Sequence, residues 1–245
     1  MIKRIAPEVE VIDITHGIPP QHVLQGALVL ANTLPYMPAG VHVAVVDPGV
    51  GGDRKPVALR GEDGRVYVGP DNGLLLVAAD RLGAIGEAVE IAERAYMLEP
   101  VSYTFHGRDV FSPAAAHVAT GVALGELGPA LDPAGLQRLE LPEPSVGEKR
   151  IRATVLYVDR FGNVQLNLTA EHFARIGVEP GDRIEIEVGF ERYFASAART
   201  FADARKGDIV LYEDAYRNIA LAINRGNAAQ MFSVRVGDGL RLSAA

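Results

Sequence analysis

Apolar and polar positions alternate in two different rhythms along this chain. From the start to about residue 131, short apolar runs are spaced by helical stretches. MIKRIAP reads as the last turn of a helix, and Val9–Ile14 as a strand. Gln21 to Leu34 carries apolar residues at Val23, Leu24, Ala27, Leu28 and Leu30, the spacing of an amphipathic helix. Val41–Val46 is apolar but for His42 and rich in β-branched residues, which predicts a strand buried on both faces in a parallel sheet. Pro56–Arg60 and Arg65–Val68 predict a hairpin closed by Gly61-Glu62-Asp63-Gly64. A helix over Leu74–Arg81 and a strand around Val89–Ala92 follow. Ser112-Pro113 predicts a helix start, with the serine as N-cap and the proline at the first helical position.

The rhythm then changes. Residues 132–150 lose periodicity and gain proline, as a linker does. Beyond them come short alternating strands at Ile151–Val158, Val164–Leu168, Arg183–Val188, Asp208–Leu211, Asn218–Ile223 and Arg235–Leu242, separated by Gly/Asp turns. The pattern predicts an α/β domain over residues 1–131 with a central, largely parallel sheet. Residues 151–245 read as a smaller antiparallel barrel or sandwich.

Composition narrows the class. With 245 residues, 48% of them hydrophobic, the chain can fill one large or two modest cores. A net charge of −7 and no Lys/Arg cluster argue against nucleic acid as a partner. No apolar run reaches the roughly 18 residues of a membrane span, and the N-terminus lacks a signal-peptide pattern. There is no cysteine, so disulfides, thiolate metal sites and cysteine nucleophiles are excluded. His16 and His22 find no third ligand at a recognisable spacing and are read as structural. The expectation is a soluble, cytoplasmic protein without metal or cofactor.

Candidate chemistry gathers in five stretches. VHVAVVDPGVGGDRK ends a strand in Asp47 and, past the glycines, supplies Arg54, long enough to fold back on that carboxylate. Strand C-terminal edges are where α/β sheets bind ligands, but a surface ion pair is the plain alternative. Tyr103–Asp109 places His106, Gly107, Arg108 and Asp109 beside a helix N-terminus, suited to an anion or a polar ligand. Asp71 and Asn72 either cap the next helix or bind something, and His117 reads as core. In the second half, Asp159-Arg160-Phe161-Gly162-Asn163 and Asn224–Ala229 put a ring, amides and open backbone in turns. Such turns can grip a purine, or can simply be turns.

VVDPGVGGDR, GPDNGLL, TFHGRDVFSPAAAH, VDRFGNVQLN and INRGNAA, in this order, resemble the S-adenosyl-L-methionine hydroxide adenosyltransferase family, the hydrolase branch of the chlorinase/fluorinase superfamily. The resemblance runs from about Ile12 to the C-terminus. It implies an N-terminal α/β domain, a C-terminal β-barrel, and homotrimers whose sites lie at subunit interfaces. It implies a small nucleoside substrate, S-adenosyl-L-methionine, hydrolysed to adenosine and L-methionine. By motif, Asp47, Arg54 and His106 match the catalytic set that positions water. Gly107, Asp159, Phe161, Asn163, Asn227 and Ala228 match substrate-binding positions, with Asn163 on the adenine. Arg217 matches more loosely a position near the methionine carboxylate.

One contrast and one departure shape the alternatives. Related halogenases carry a non-acidic residue where this chain has Asp47, and a carboxylate there repels halide, so the resemblance favours water as nucleophile. Members of the family usually start with a strand and loop of the type TDFG…D.YVG, whose acidic residue binds the ribose; here the motifs begin on the following helix. A start assigned too late, at a Met1 internal to that helix, or a chain built without the segment are the two readings. A non-catalytic binder of adenosine or S-adenosylmethionine is the remaining class.

Overall fold

The computed structural model describes residues 1–244, which divide into two compact units, Met1–Glu140 and the segment from Leu141 onward. In the first unit, α1 (Ile2–Ile5), α2 (Val23–Thr33), α3 (Leu74–Ala79) and α4 (Ser112–Ala119) accompany four strands. These are β1 (Val41–Val43), β2 (Pro56–Gly61), β3 (Val66–Pro70) and β4 (Ile85–Glu90), in sheet order β1-β3-β2-β4. The sheet is mixed. β1 lies parallel to β3, with His42 opposite Tyr67, whereas β2 runs antiparallel to both β3 and β4.

The period-2 alternation of strand side chains sorts residues onto two cores. Val57, Leu59 and Tyr67 face α2 and α3, packing with Ala27, Leu30, Leu74 and Leu75. Ala58, Val66, Val68 and Val89 face the other way, onto Phe111, Ala114 and Ala115 of the α4 region. The unit is therefore a helix–sheet–helix sandwich. Each fully buried aliphatic side chain, Leu59 or Leu74 among them, contributes roughly 1.5–3 kcal/mol of burial.

Three local expectations are corrected. The strand foreseen over Val41–Val46 is an edge strand, not a doubly buried central one. It ends at Val43, with one further ladder bond from Ala44 N–H to the Val68 carbonyl (3.1 Å), and Val43 and Val45 are exposed. Its apolar run reflects β propensity and one covered face rather than burial on both. Val9–Ile14 forms no strand, and Val11, Ile12 and Ile14 are exposed, because no ladder partner lies beside them among the described residues. Ser112 does not cap a helix. A π-helical turn over Gly107–Phe111 runs straight into α4, and Ser112 Oγ donates back to the Gly107 carbonyl at 2.7 Å. The helical path thus starts at His106.

The second unit contains β5 (Ser145–Val146), β6 (Arg150–Val158), β7 (Val164–Leu166), β8 (Arg183–Val188), β9 (Glu191–Ala197), β10 (Ile209–Glu213), β11 (Ile219–Ile223) and β12 (Gly239–Ala244). Two short helices, α5 (Ala170–Arg175) and α6 (Ala228–Phe232), interrupt them. The order β6-β7-β11-β10-β9-β8-β12 closes through β12–β6 pairing into a barrel, with β5 added outside on β6. All pairs are antiparallel except β9–β10. Ile151, Ala153 and Val155, with Ile184, Ile186, Leu240 and Leu242, alternate into its core. Closure leaves the ring without unpaired edges.

Residues of the proline-rich segment pack on the first unit. Leu136 is buried in the α2/α3 core, and Gln137 N–H donates to Asp71 Oδ1 at 2.9 Å.

Candidate active site

The turn Pro48–Asp53 folds Arg54 back onto the carboxylate at the end of the β1 segment. Arg54 Nε donates to Asp47 Oδ1 and Oδ2 at 3.0 and 2.9 Å, and Nη2 donates to Oδ2 at 2.5 Å. The side chains are only 10% (Arg54) and 6% (Asp47) exposed, so this is a buried, fork-like pair and not the surface ion pair that the sequence left open. Nη2 also reaches His106 Nδ1 at 2.8 Å. Three residues from two separate loops are thereby joined in one hydrogen-bonded chain. Phe111 supports it from beneath, its ring centroid 5.3 Å from the guanidinium carbon.

This geometry sets the protonation of the histidine. A guanidinium only donates, so Nδ1 accepts, and the neutral ring carries its proton on Nε2. Burial, and next the Arg54 charge, push the His106 pKa below its ordinary value; the Asp47 and Asp109 carboxylates and the Ser102 carbonyl pull less strongly the other way. His106 is accordingly neutral at pH 7. On the arginine, both Nη2 protons and the Nε proton are engaged, and Nη1 makes no hydrogen bond to any described residue.

The two loops fit because Gly51 is a glycine. Its φ is +77°, and a β-carbon there would stand 2.5 Å from the Tyr103 carbonyl oxygen. The glycine turn therefore lies directly against the segment that carries His106. On the strand side, Asn72 does two things at once. Its Oδ1 accepts the Leu74 N–H (3.2 Å) at the start of α3, and its Nδ2 donates to the Val46 carbonyl (2.8 Å) next to Asp47. Sequence reasoning left Asn72 undecided between cap and ligand; its place after the turn Gly69–Asp71 was the one available signal. Gly107 opens the π-helical turn beside His106.

In the barrel unit the sequence-selected residues form a second cluster. Asp159 Oδ1 accepts the backbone N–H groups of Phe161 (2.8 Å) and Asn163 (2.9 Å), and Oδ2 accepts Asn163 Nδ2 (2.8 Å). Asp159 thus builds the turn, and Asn163 spends one amide proton on it. Phe161 projects outward, 62% exposed, with Arg160 over its ring at 4.8 Å. Gly162, at φ +83°, lies on Asn227: a β-carbon there would fall 2.1 Å from the asparagine side chain. Asn227 Oδ1 caps α6 by accepting the Gln230 N–H (2.8 Å), and Ala229 N–H donates to the Gly162 carbonyl (2.9 Å). Ala228 is fully buried there. Arg217 sits on a different turn, at φ +67°, with Nη1 on Glu213 Oε1 at 2.6 Å.

An α/β unit with an Asp–Arg–His chain at its strand ends, followed by a barrel with an exposed aromatic turn, defines a recognisable class. The family description "SAM hydroxide adenosyltransferase N-terminal domain" matches residues 1–128, and the corresponding C-terminal domain matches residues 153–241. The chain belongs to the SAM hydroxide adenosyltransferase family. It is 44% identical over 244 residues to a protein of Salinispora tropica named (R)-S-adenosyl-L-methionine hydrolase, covering 100% of this chain and 90% of that one. A Thermus thermophilus protein of the same name is 37% identical over 254 residues, with coverage of 97% and 89%. A fluorinase of Nocardia brasiliensis is more distant, 27% identical over 260 residues (95% and 86%). Among solved structures, an uncharacterized conserved protein from Thermotoga maritima superposes with a TM-score of 0.90 at 34% identity, covering 99% of this chain and 92% of that one.

Proposed function

We propose that this protein hydrolyses S-adenosyl-L-methionine to adenosine and L-methionine, with water held by Asp47, Arg54 and His106. The observation that carries the reading is the continuous Asp47–Arg54–His106 hydrogen-bond chain, largely shielded in the loops just beyond β1, in a member of this family. The sulfonium makes C5′ electrophilic and leaves as a neutral thioether, so the leaving group needs no acid. The site has to supply an oxygen nucleophile, in line with the C5′–S bond and shielded from bulk water. Water is a poor nucleophile, with a pKa of about 15.7, and placement in a near-attack geometry is worth as much as ~7–11 kcal/mol in intramolecular models.

The residues divide this work. The water oxygen forms its bond to C5′ as the C5′–S bond breaks and its electron pair passes to sulfur. Arg54 Nη1 and His106 Nε2–H donate to the oxygen as it gains negative character. His106 Nδ1 is already an acceptor for Arg54, so the leaving proton goes to Asp47. Phe161 offers a face for adenine, and Asn163 and the backbone at Asn227–Ala228 offer polar edges.

On this reading the protein works as a homotrimer, one chain's triad serving with a neighbour's Phe161 turn, and needs no metal or organic cofactor. No helix among the described residues is long and apolar enough to cross a membrane, and the absence of cysteine suits a reducing cytoplasm. Incubation with S-adenosylmethionine in EDTA should release adenosine and methionine at a rate indifferent to chloride. Formation of 5′-chloro-5′-deoxyadenosine would move the protein to the halogenase branch, and binding without turnover would leave it a binder.

A further inference from the structure

Asp109 is fully buried, with 0% of its surface exposed, and is the only Asp, Glu, Lys, Arg or His in that state among the described residues. Such a carboxylate is expensive unless it is paired and hydrogen-bonded. Here every contact serves the loop that presents His106. Asp109 Oδ2 accepts the Ser102 N–H at 2.9 Å, and the Asp109 carbonyl accepts the Leu98 N–H at 2.8 Å. Both tie the stretch entering the loop to the residue leaving it. Arg108 closes the carboxylate from outside, Nε to Oδ1 at 2.5 Å and Nη2 to Oδ2 at 2.9 Å, and lays its guanidinium 4.8 Å from the Phe105 ring centroid.

His106 sits between these anchors, three residues before Asp109, and the same loop takes the Gly51 contact at Tyr103. Arg54 holds one ring nitrogen, and the Ser102 carbonyl that also bears on the ring belongs to the same loop, so the loop as a whole still has to be held against Arg54. We propose that Asp109 is the positioning residue for His106: its buried carboxylate pins the 102–109 loop across its base and so holds the imidazole on Arg54. This rests on the hydrolase reading of the triad. The charged groups that bear on the imidazole are Arg54, Asp47 and Asp109; burial and Arg54 lower its pKa while the two carboxylates raise it, and Arg108 holds the Asp109 carboxyl below the usual range.

Two variants of opposite electrostatic sign test this. Asp109→Asn keeps the shape and an acceptor for Ser102 but removes the charge. Arg108→Gln leaves Asp109 in place and strips its counter-ion from a half-exposed position. The readouts are the NMR titration of the His106 ring and the pH profiles of kcat and KM for S-adenosylmethionine. In Asp109→Asn the His106 midpoint should move to lower pH, and kcat should fall on the order of tenfold or more with KM little changed. In Arg108→Gln the midpoint should move to higher pH. Loss of charge alone moves the midpoints this way, so position is read from the 15N shift of Nδ1 in the neutral ring, which reports its bond to Arg54; an Nδ1 shift and a kcat both at the wild-type value in folded Asp109→Asn overturn the proposal. If Asp109→Asn does not fold, Arg108→Gln decides, by whether loosening the clamp on the carboxylate moves the Nδ1 shift away from the wild-type value. The titration needs no turnover, so a wild-type protein that fails to hydrolyse S-adenosylmethionine defeats the functional reading and leaves this test intact.

Discussion

The Arg54 guanidinium and the His106 imidazole meet at 2.8 Å from Nη2 to Nδ1, with the arginine as donor. This bond exists only while the histidine is neutral, since a protonated ring has no lone pair to offer. The pKa of His106 is lowered in the folded protein, first by burial and then by Arg54. Activity should therefore hold through neutrality and fall as pH drops through a value below the ordinary ~6.5 of histidine. Stability has the same sign. The unfolded chain binds this proton more readily, so this group's contribution is present above about 6.5 and is lost as pH falls from there towards the folded-state pKa. A pH profile of adenosine release measures the first effect; an acid limb above the ordinary histidine value would contradict it.

Removing the arginine should cost both rate and stability. On the proposed reading, Arg54→Ala takes away a donor aimed at the developing charge, which in comparable sites lowers kcat on the order of 100-fold or more. It also leaves Asp47 buried without its partner, a loss of about 3–5 kcal/mol for buried pairs. Steady-state kinetics, adenosine titration and urea unfolding separate these effects. A variant that binds adenosine much worse at unchanged kcat would make Arg54 a substrate anchor instead.

Gly51→Ala probes the junction of the two loops. An added methyl meets the Tyr103 carbonyl at 2.5 Å in a left-handed backbone conformation, so the loop that bears His106 has to retreat. The expected outcome is a kcat reduced by about tenfold or more, since misplacement by about 1 Å can cost as much as 100-fold. The protein should stay folded. Wild-type kcat in a folded Gly51→Ala protein would show that the loop contact does not position the histidine.

Assembly is testable by complementation. If each site draws its triad from one chain and its aromatic turn from a neighbour, mixing Arg54→Ala and Asn163→Ala chains should restore part of the activity through hybrid trimers. Sedimentation should show a trimer. A fully active monomer would be incompatible with that arrangement.

The sequence was most legible where chemistry and backbone punctuation coincide. Asp47, Arg54 and His106 were identifiable because five ordered motifs resemble one family, and the glycines between Asp47 and Arg54 announce a reversal of the chain. The barrel strands were readable from alternation, and Arg183–Val188 is found at the residues expected. Edge placement of β1 was not readable, because β-branched runs look alike whether one or both faces are covered. β9 went unseen because its residues from Glu191 to Tyr193 mix charge with an aromatic, and Phe194 is exposed on the outer side. The π-helical turn was hidden by Ser112-Pro113, a pair that mimics a helix start. Asn72 acts through the Val46 carbonyl, distant in sequence, and Asp109 through the Ser102 and Leu98 N–H groups across its loop; no local pattern announces such bonds.

The close seat of Gly162 on Asn227 bears on how this protein can vary. Position 162 tolerates no side chain while asparagine stands at 227, and shortening Asn227 to make room removes the cap of α6. The two positions are locked together from opposite sides. Random substitution at either alone should yield almost no folded, ligand-competent barrels. A surviving change at 162 should arrive with a second change at 227 and a new way of starting the helix, so this turn can drift only by steps of two.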